Sequence, residues 1–331
     1  KSGLNVDVVN ASQLFMLSDS DQVLMDNQAV AQVAKAIDGH RDMVDIVAAA
    51  SRHVGPAMAF AAVRSMLEKG YIREDALKGG AFGAYLESRG LDPSRTINEL
   101  ATRQVKLLPL VLQRPRDEVQ RTMEQIVSGL DVLDQRIAVE CLTEDADTTA
   151  LGPSSLLVVV AEDYVHPRLE ELNKELWNKG ISWLLAKPWG QSLWLGPLFV
   201  PGQSACWMCL QERLVANRHA ERYLAERLQR LPFIPASGLM PGAARIVSQA
   251  ILTHLVAVAG GEQSPFVNVL RSMDLGTMAV SDHAVIPQPQ CPVCGTMAHR
   301  PTADVVLAPA KGLDGTDGGY RVCTPEETVE R

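Results

Sequence analysis

The sequence predicts an α/β protein in two parts: a small module of strands followed by helices, then a larger domain of alternating strands and helices closed by a metal clip. Three observations carry this. Apolar residues recur with a period of two over the first 26 positions and then switch to helical spacing. Beyond about position 100, apolar strand-like runs alternate with amphipathic stretches of 11–15 residues, the pattern of a sheet covered on both faces. Two Cys-x-x-Cys pairs, "CWMC" at 206–209 and "CPVC" at 291–294, stand far apart in one chain. With 331 residues, 47% of them hydrophobic, the chain can bury two sizeable cores, or three small ones.

Each element has a local reason. "LNVDVV" (4–9) and "QLFMLS" (13–18) alternate apolar and polar residues, and "DQVLMD" (21–26) follows a polar turn. "NQAVAQVAKAIDG" (27–39) places Ala29, Val30, Val33, Ala34 and Ile37 at helical spacing, and Gly39 stops it. "DMVDIVAAASRHVG" (42–55) is a second helix. "PAMAFAAVRSMLEKG" (56–70) is a third, opened by Pro56 and closed by Gly70. Three strands then three helices is the outline of a winged-helix-like module over residues 1–76. Residues 77–100 are glycine-rich and weakly periodic and read as a linker or helical connection, with the boundary near 77–82.

The second domain, residues 101–310, begins with the strand "RQVKLLPLVL" (103–112) and the helix "DEVQRTMEQIVSGL" (117–130), stopped by Gly129. "QRIAVECL" (135–142) and the strongly apolar "SSLLVVVAED" (154–163) are strands. "PRLEELNKELWNKG" (167–180) is a helix, and "SWLLAKP" (182–188) and "SLWLGPLFV" (192–200) are strands. One long helix is expected over "LQERLVANRHAERYLAERLQR" (210–230) and another over 241–261, before two last strands at 266–275 and 277–287. The whole reads as a largely parallel sheet. Residues 311–331 read as a flexible tail ending in the capped start of a helix.

Composition excludes several functions. A formal charge of −8 argues against a nucleic-acid backbone as the main partner. No apolar run approaches the roughly 20 residues that cross a bilayer, and the N-terminus lacks the apolar core of a signal peptide. Six cysteines, four of them in x-x pairs, do not make a disulfide scaffold, so a cytoplasmic protein is expected.

Cys206, Cys209, Cys291 and Cys294 supply four thiolates, a tetrahedral set that suits zinc at about 2.3 Å per bond. A redox pair usually occurs once, at a helix start, so two pairs favour metal over redox chemistry. Four thiolates leave no open position for water; the zinc is expected to be structural, clipping the last strands to the helix after Cys206. Cys141 and Cys323 have no partner pattern. No G-x-x-x-x-G-K-[ST] and no G-x-G-x-x-G occurs, and the turn after the first strand of the domain reads "QRPRDE" (113–118), without glycine. A backbone without glycine there cannot closely approach a pyrophosphate. Asp163, at a strand end, reads as a solvated loop carboxylate or helix cap, and His166 as a loop residue. No Ser–His–Asp set can be argued.

"SLWLGPLFVPGQSACWMCLQERL" (192–214), with the distant "CPVCG", resembles the zinc-binding portion of E1-like (ThiF/MoeB-type) proteins. More narrowly, the chain resembles the E1-like component of cyclodehydratases that make thiazole/oxazole-modified peptides. "AIDGHRDMVDIVAA" (36–49), "MLEKGYI" (66–72) and "VVVAEDYVHPRLEELN" (158–173) carry the resemblance further along the chain. It implies a PqqD-like RiPP recognition element that binds the leader of a ribosomal precursor peptide, ahead of a degenerate E1-like domain. It also implies a YcaO-type partner, separate or fused after residue 331, that holds ATP and Mg²⁺ and forms azolines from Cys, Ser or Thr. A flavin-dependent azoline oxidase in the same pathway and a homodimer follow from the same resemblance.

In that family the leader pairs with the third strand and lies against the third helix. The matching positions are Gln22, Val23, Leu24 and Met25, with Phe60, Ala61, Arg64, Ser65 and Leu67. Ala57, Ala59, Ala61 and Ala62 either leave room for leader side chains or pack the helices together; Arg64 either meets an acidic leader residue or is a surface charge. Two other readings compete. An adenylating E1-like enzyme that activates a peptide or carrier-protein C-terminus needs the glycine-rich turn. A DNA-binding regulator needs more charge than Arg64 and Lys69 supply on the third helix.

Overall fold

The computed structural model describes residues 5–18, 22–74, 78–130, 137–143, 146, 151–152, 155–229 and 238–295. The period-two residues near the N-terminus make β1 (Asn5–Val8), β2 (Gln13–Leu17) and β3 (Gln22–Asp26), an antiparallel sheet in that order. Leu14 and Met16 point into the core and pair across the sheet with Met25 and Val23, while Phe15 and Leu24 face out. Asn27 caps α1 (Gln28–Ala36) by accepting from the Val30 N–H, and Asp42 caps α2 (Met43–Val54) through the Asp45 N–H. Gly55, at φ +81°, turns the chain so that Pro56 can open α3 (Pro56–Glu68). The three helices pack on one another, α1 covers the sheet, and Leu14, Met16, Val33, Ala59, Val63 and Met66 form the core between them.

Two helices, α4 (Gly80–Ser88) and α5 (Pro93–Ala101), occupy the stretch expected as a connection. Among the described residues the second sheet has seven strands. Its strands are β4 (Gln104–Leu110), β5 (Ala138–Cys141), β6 (Ser155–Ala161), β7 (Trp183–Lys187), β8 (Ser192–Phe199), β9 (Val269–Asp274) and β10 (Val280–Ala284). The order is β10-β9-β8-β7-β6-β4-β5. Only β5, β4, β6 and β7 run parallel; the β7–β8, β8–β9 and β9–β10 pairs are antiparallel. The sheet is therefore mixed rather than largely parallel. Residues 188–191 and 275–279 are too short for the crossover of a dozen or more residues that a parallel return requires, so they close hairpins.

Both faces are covered. Leu156, Val158 and Val160 of β6 point to the face under α6 (Arg116–Leu130) and α10 (Ala243–Gly260), and Leu157, Val159 and Ala161 to the face under α7 (Arg168–Asn178) and α8 (Trp207–Asn217). This double burial is why β6 reads as an unbroken apolar run. Gly129 does not stop α6. A Cβ there would lie 2.4 Å from Ser248 Oγ, so the glycine lets α10 approach, and Ser248 Oγ donates to the Ile126 carbonyl at 2.9 Å. The long helix expected over 210–230 is two, α8 and α9 (His219–Leu228), broken at Arg218 (φ −103°, ψ 58°). The side chain of Arg218 is drawn aside into an ion pair with Asp163.

Among the described residues α10 is long and apolar enough to cross a bilayer by composition, and the fold instead buries ten of its residues as the core helix of one face. One of them is His254. Burial, and secondarily the charge of Arg103, hold its imidazole down at about 4, against 6.5 unfolded. Below pH 6.5 the unfolded chain takes up a proton that the folded one refuses, so stability falls with pH between 6.5 and 4. By pH 4.5 the loss is on the order of 2 kcal/mol. In His254→Leu this part of the acid slope should vanish, which urea titrations at pH 7 and 4.5 would measure; an unchanged slope would assign acid sensitivity to other groups.

Candidate functional site

Cys206 is the N-cap residue of α8, and Cys209 lies one turn inside it. Cys291 and Cys294 sit in a turn that follows β10. Gly295 closes that turn by donating its N–H to the Cys291 carbonyl at 2.9 Å. A Cβ on Gly295 would lie 2.4 Å from that oxygen, so only glycine fits. The four sulfurs all lie within 4.8 Å of one another, with Cys206 to Cys291 at 3.5 Å and Cys209 to Cys294 at 3.3 Å. Cys206, Cys209 and Cys291 are buried and Cys294 is half-buried. A tetrahedron of sulfurs around one ion with 2.3 Å bonds has edges of about 3.8 Å, so the donor set fits a metal.

Electrostatics agree. The Cys206 thiol hydrogen-bonded to it, helped by the Gln288 N–H, brings Cys209 down to about 5 against its burial. Cys206 is pushed up by that same hydrogen bond and by burial, and burial carries Cys294 up to about 12. One thiolate is favoured, and its charge opposes the rest; four together need a cation. The sequence expectation of a four-cysteine cluster is met in space, and these residues are placed to bind a metal ion such as zinc. Cys141 is an exposed residue of β5, apart from the cluster; Cys323 lies outside the described residues.

The crevice at the carboxyl ends of the parallel strands is where α/β sheets bind ligands, at the point where successive connections leave in opposite directions. Here that point lies between β4 and β6, because α6 leads from β4 to β5 on one side and α7 leads from β6 to β7 on the other. The amides that could cradle a phosphate are already used. Leu112 N–H and Gln113 N–H donate to Glu162 Oε2 at 2.9 and 3.2 Å. Arg114 Nε stands 3.5 Å from Glu162 Oε1, and its guanidinium also pairs with Glu118 and lies over the Trp189 ring, 4.9 Å from the centroid. The side chains of Arg114 and Glu162 are 4% and 1% exposed. An internal carboxylate thus takes up the amides of this loop.

Glu162 was not legible as a site residue, because its partners lie about 50 positions earlier in the chain. Its neighbour Asp163 is neither solvated nor free to cap a helix. It is buried and accepts from Arg218 Nη1 at 3.0 and 2.9 Å and from the Val165 N–H at 2.9 Å. His166 lies in the loop before α7, buried, with Nδ1 accepting from the Arg168 N–H.

The residues matched to leader binding lie on β3 and α3 of the N-terminal unit. Gln22–Met25 belong to β3, which is paired only with β2 among the described strands. Val23, Met25 and the half-buried Leu67 join one core cluster. Phe60, Ala61 and Arg64 are exposed and Ser65 is half-buried. Ala59 and Ala62 pack the core, whereas Ala57 and Ala61 are exposed. Arg64 Nε pairs with Glu68 Oε1 at 2.8 Å along its own helix.

The hydrogen-bond direction of β3 follows from its neighbours. Asn27 N–H donates to the Ser12 carbonyl and Val9 N–H to the Gln13 carbonyl. In an antiparallel ladder bonded and non-bonded pairs alternate, so the even residues of β2 bond to β3 and the odd ones to β1. Val23 and Met25 therefore spend their amides on β2, and Gln22, Leu24 and Asp26 turn theirs to the open edge.

No protein-family model matches the chain, and no curated protein matches it in sequence. Solved structures do match. A heterocyclase in complex with substrate and cofactor is 26% identical across 88% of this chain, with a TM-score of 0.73. The heterocyclase TruD is 25% identical across 89%, with a TM-score of 0.72. The fold is E1-like. The chain spans 39% and 42% of the length of those two proteins. MccB of E. coli, solved with ATP, shares the fold at 14% identity and a TM-score of 0.57, over 88% of this chain and 98% of MccB.

Proposed function

We propose that this chain is the leader-binding, E1-like part of an azoline-forming cyclodehydratase, and that it presents a precursor peptide to a YcaO-type partner or fused domain. The observation that carries this reading is the likeness to two heterocyclases over almost nine-tenths of the chain. The unpaired edge of β3 supports leader capture by strand addition, in which backbone groups supply affinity and neighbouring pockets read alternate side chains. Residues 1–76 act as the winged-helix-like recognition module, 77–100 as the connection, and 101–310 as the E1-like domain; residues 311–331 lie outside the described residues. The metal of the four cysteines is zinc, and its role is structural, since four thiolates complete its coordination.

The test is fluorescence-polarisation binding of a labelled leader peptide to the full chain, wild type against Leu24→Pro and Ala61→Trp. Leu24→Pro removes an outward-facing donor and leaves the β2–β3 ladder intact, whereas proline at Val23 would cut that ladder. Affinity should fall at least about tenfold in Leu24→Pro, about 1.4 kcal/mol, and in Ala61→Trp if the leader crosses the exposed face of α3. If both variants keep native circular dichroism and bind as wild type does, the leader sits elsewhere.

ATP chemistry is assigned to the YcaO-type partner, with Mg²⁺; the reading is supported by the absence of a glycine-rich turn after β4 and by Glu162 accepting from the amides there. The chain alone should then show no ATP–pyrophosphate exchange above background. Exchange with a peptide substrate would favour the adenylating reading, the activation of a peptide or carrier-protein C-terminus.

A further inference from the structure

The two halves of the cysteine cluster come from points 85 positions apart, so their register has to be set by contacts other than the sulfurs. Asn268 makes the contacts that reach both. Its side-chain Oδ1 accepts from the N–H of Ala205, the residue before Cys206, at 2.7 Å. Its backbone carbonyl accepts from the N–H of Val285, where the chain leaves β10 toward Cys291, at 2.8 Å. Asn268 stands at φ +59°, in the left-handed region, which among residues with a side chain Asn tolerates best. One short side chain thus combines a rare backbone conformation with an acceptor aimed at a buried amide. Two further bonds steady the same arms: Asn173 Oδ1 accepts from Trp207 N–H, the first residue of α8, at 3.0 Å, and Gln288 N–H donates to Cys209 Sγ at 3.3 Å.

We propose that Asn268 is a positioning residue of the metal centre, holding the Cys206 arm against the Cys291 arm so that the four sulfurs converge before the ion arrives. The inference rests on the metal reading of the four cysteines. Contacts that orient metal ligands from behind typically contribute 10- to 100-fold in metal affinity. Loss of the Oδ1 acceptor frees the Cys206 arm from the β9–β10 side of the cluster, and the metal must then order it.

The experiment compares the wild-type chain with Asn268→Gly and Asn268→Asp. Glycine accepts the left-handed conformation but removes the acceptor; aspartate keeps both. Zinc affinity is measured by competition with a chelator of known affinity, and cobalt substitution reports the thiolate charge-transfer and ligand-field bands. Asn268→Gly should bind zinc about 10- to 100-fold more weakly, with altered cobalt bands, and Asn268→Asp should stay near wild type. If Asn268→Gly does not fold, Asn268→Ser, whose hydroxyl is too short to reach the amide, is judged by the same criteria. The proposal is overturned if the affinity and cobalt spectrum of the variant match wild type while the melting temperatures of its metal-free and metal-loaded forms fall equally. Wild-type protein with four titratable thiols that takes up neither metal would overturn the metal reading itself, and this inference with it.

Discussion

Cys291→Ser protein is expected to lose bound zinc and thermal stability together. The residue is buried, within reach of three other sulfurs, and its removal leaves three thiolates with an ill-fitting fourth ligand. The site joins α8 to the chain after β10, elements that otherwise meet through few polar contacts such as Arg213 Nη2 to the Ile286 carbonyl. Metal binding at such sites feeds directly into folding free energy, and a loss of about 4 kcal/mol would lower Tm by roughly 10 °C in a domain of this size. Elemental analysis and calorimetry on the same samples check it, and a strong chelator applied to wild type should reproduce the shift. Wild-type protein prepared without chelator that contains no metal, or a Cys291→Ser variant that melts with wild type, would sink the prediction.

Glu162→Ala should be the most damaging single change at the crevice. It strips a buried guanidinium of one partner and leaves the Leu112 and Gln113 amides without an acceptor. Breaking a buried charge pair from one side typically costs about 3–5 kcal/mol. The geometry adds a more specific expectation. The space vacated by the carboxylate is bounded by two N–H donors and Arg114, so formate or acetate at tens of millimolar should recover part of the lost stability. Glu162→Gln, which keeps an acceptor oxygen but not the charge, should fall between. Urea denaturation with and without formate measures all three. A Glu162→Ala variant as stable as wild type, or one indifferent to formate, would show that the pair does not fill an anion site.

Much of the fold was legible because the signals are local. Pro56 marks a helix start in the chain and does so in three dimensions through its preset φ, and the first two helices begin where their periodicity does, capped by Asn27 and Asp42. The four cysteines were legible as a site because x-x spacing places two thiolates on one turn, whatever lies between the pairs. The missing glycine after β4 was legible in the chain, but not that Glu162 accepts from the amides of that loop. The break at Arg218 was invisible, since nothing in "VANRHAE" (215–221) disfavours a helix. It follows from an ion pair to Asp163, 55 positions earlier.

By itself, then, the sequence determined the type and order of most elements and the four cysteines that cluster, because periodicity and Cys-x-x-Cys spacing act over a few residues. Tertiary structure alone decided the rest. It turned β8, β9 and β10 antiparallel to their neighbours, gave Gly129 its role as a contact surface for Ser248, and aimed the Leu24 amide outward rather than the Val23 amide. It brought Glu162 to the β4 loop and Asn268 to both arms of the cluster. The physical reason is common to all of these. Each depends on groups that become neighbours only when distant segments pack, where the requirement that buried polar groups find partners selects among arrangements that local propensities leave equal.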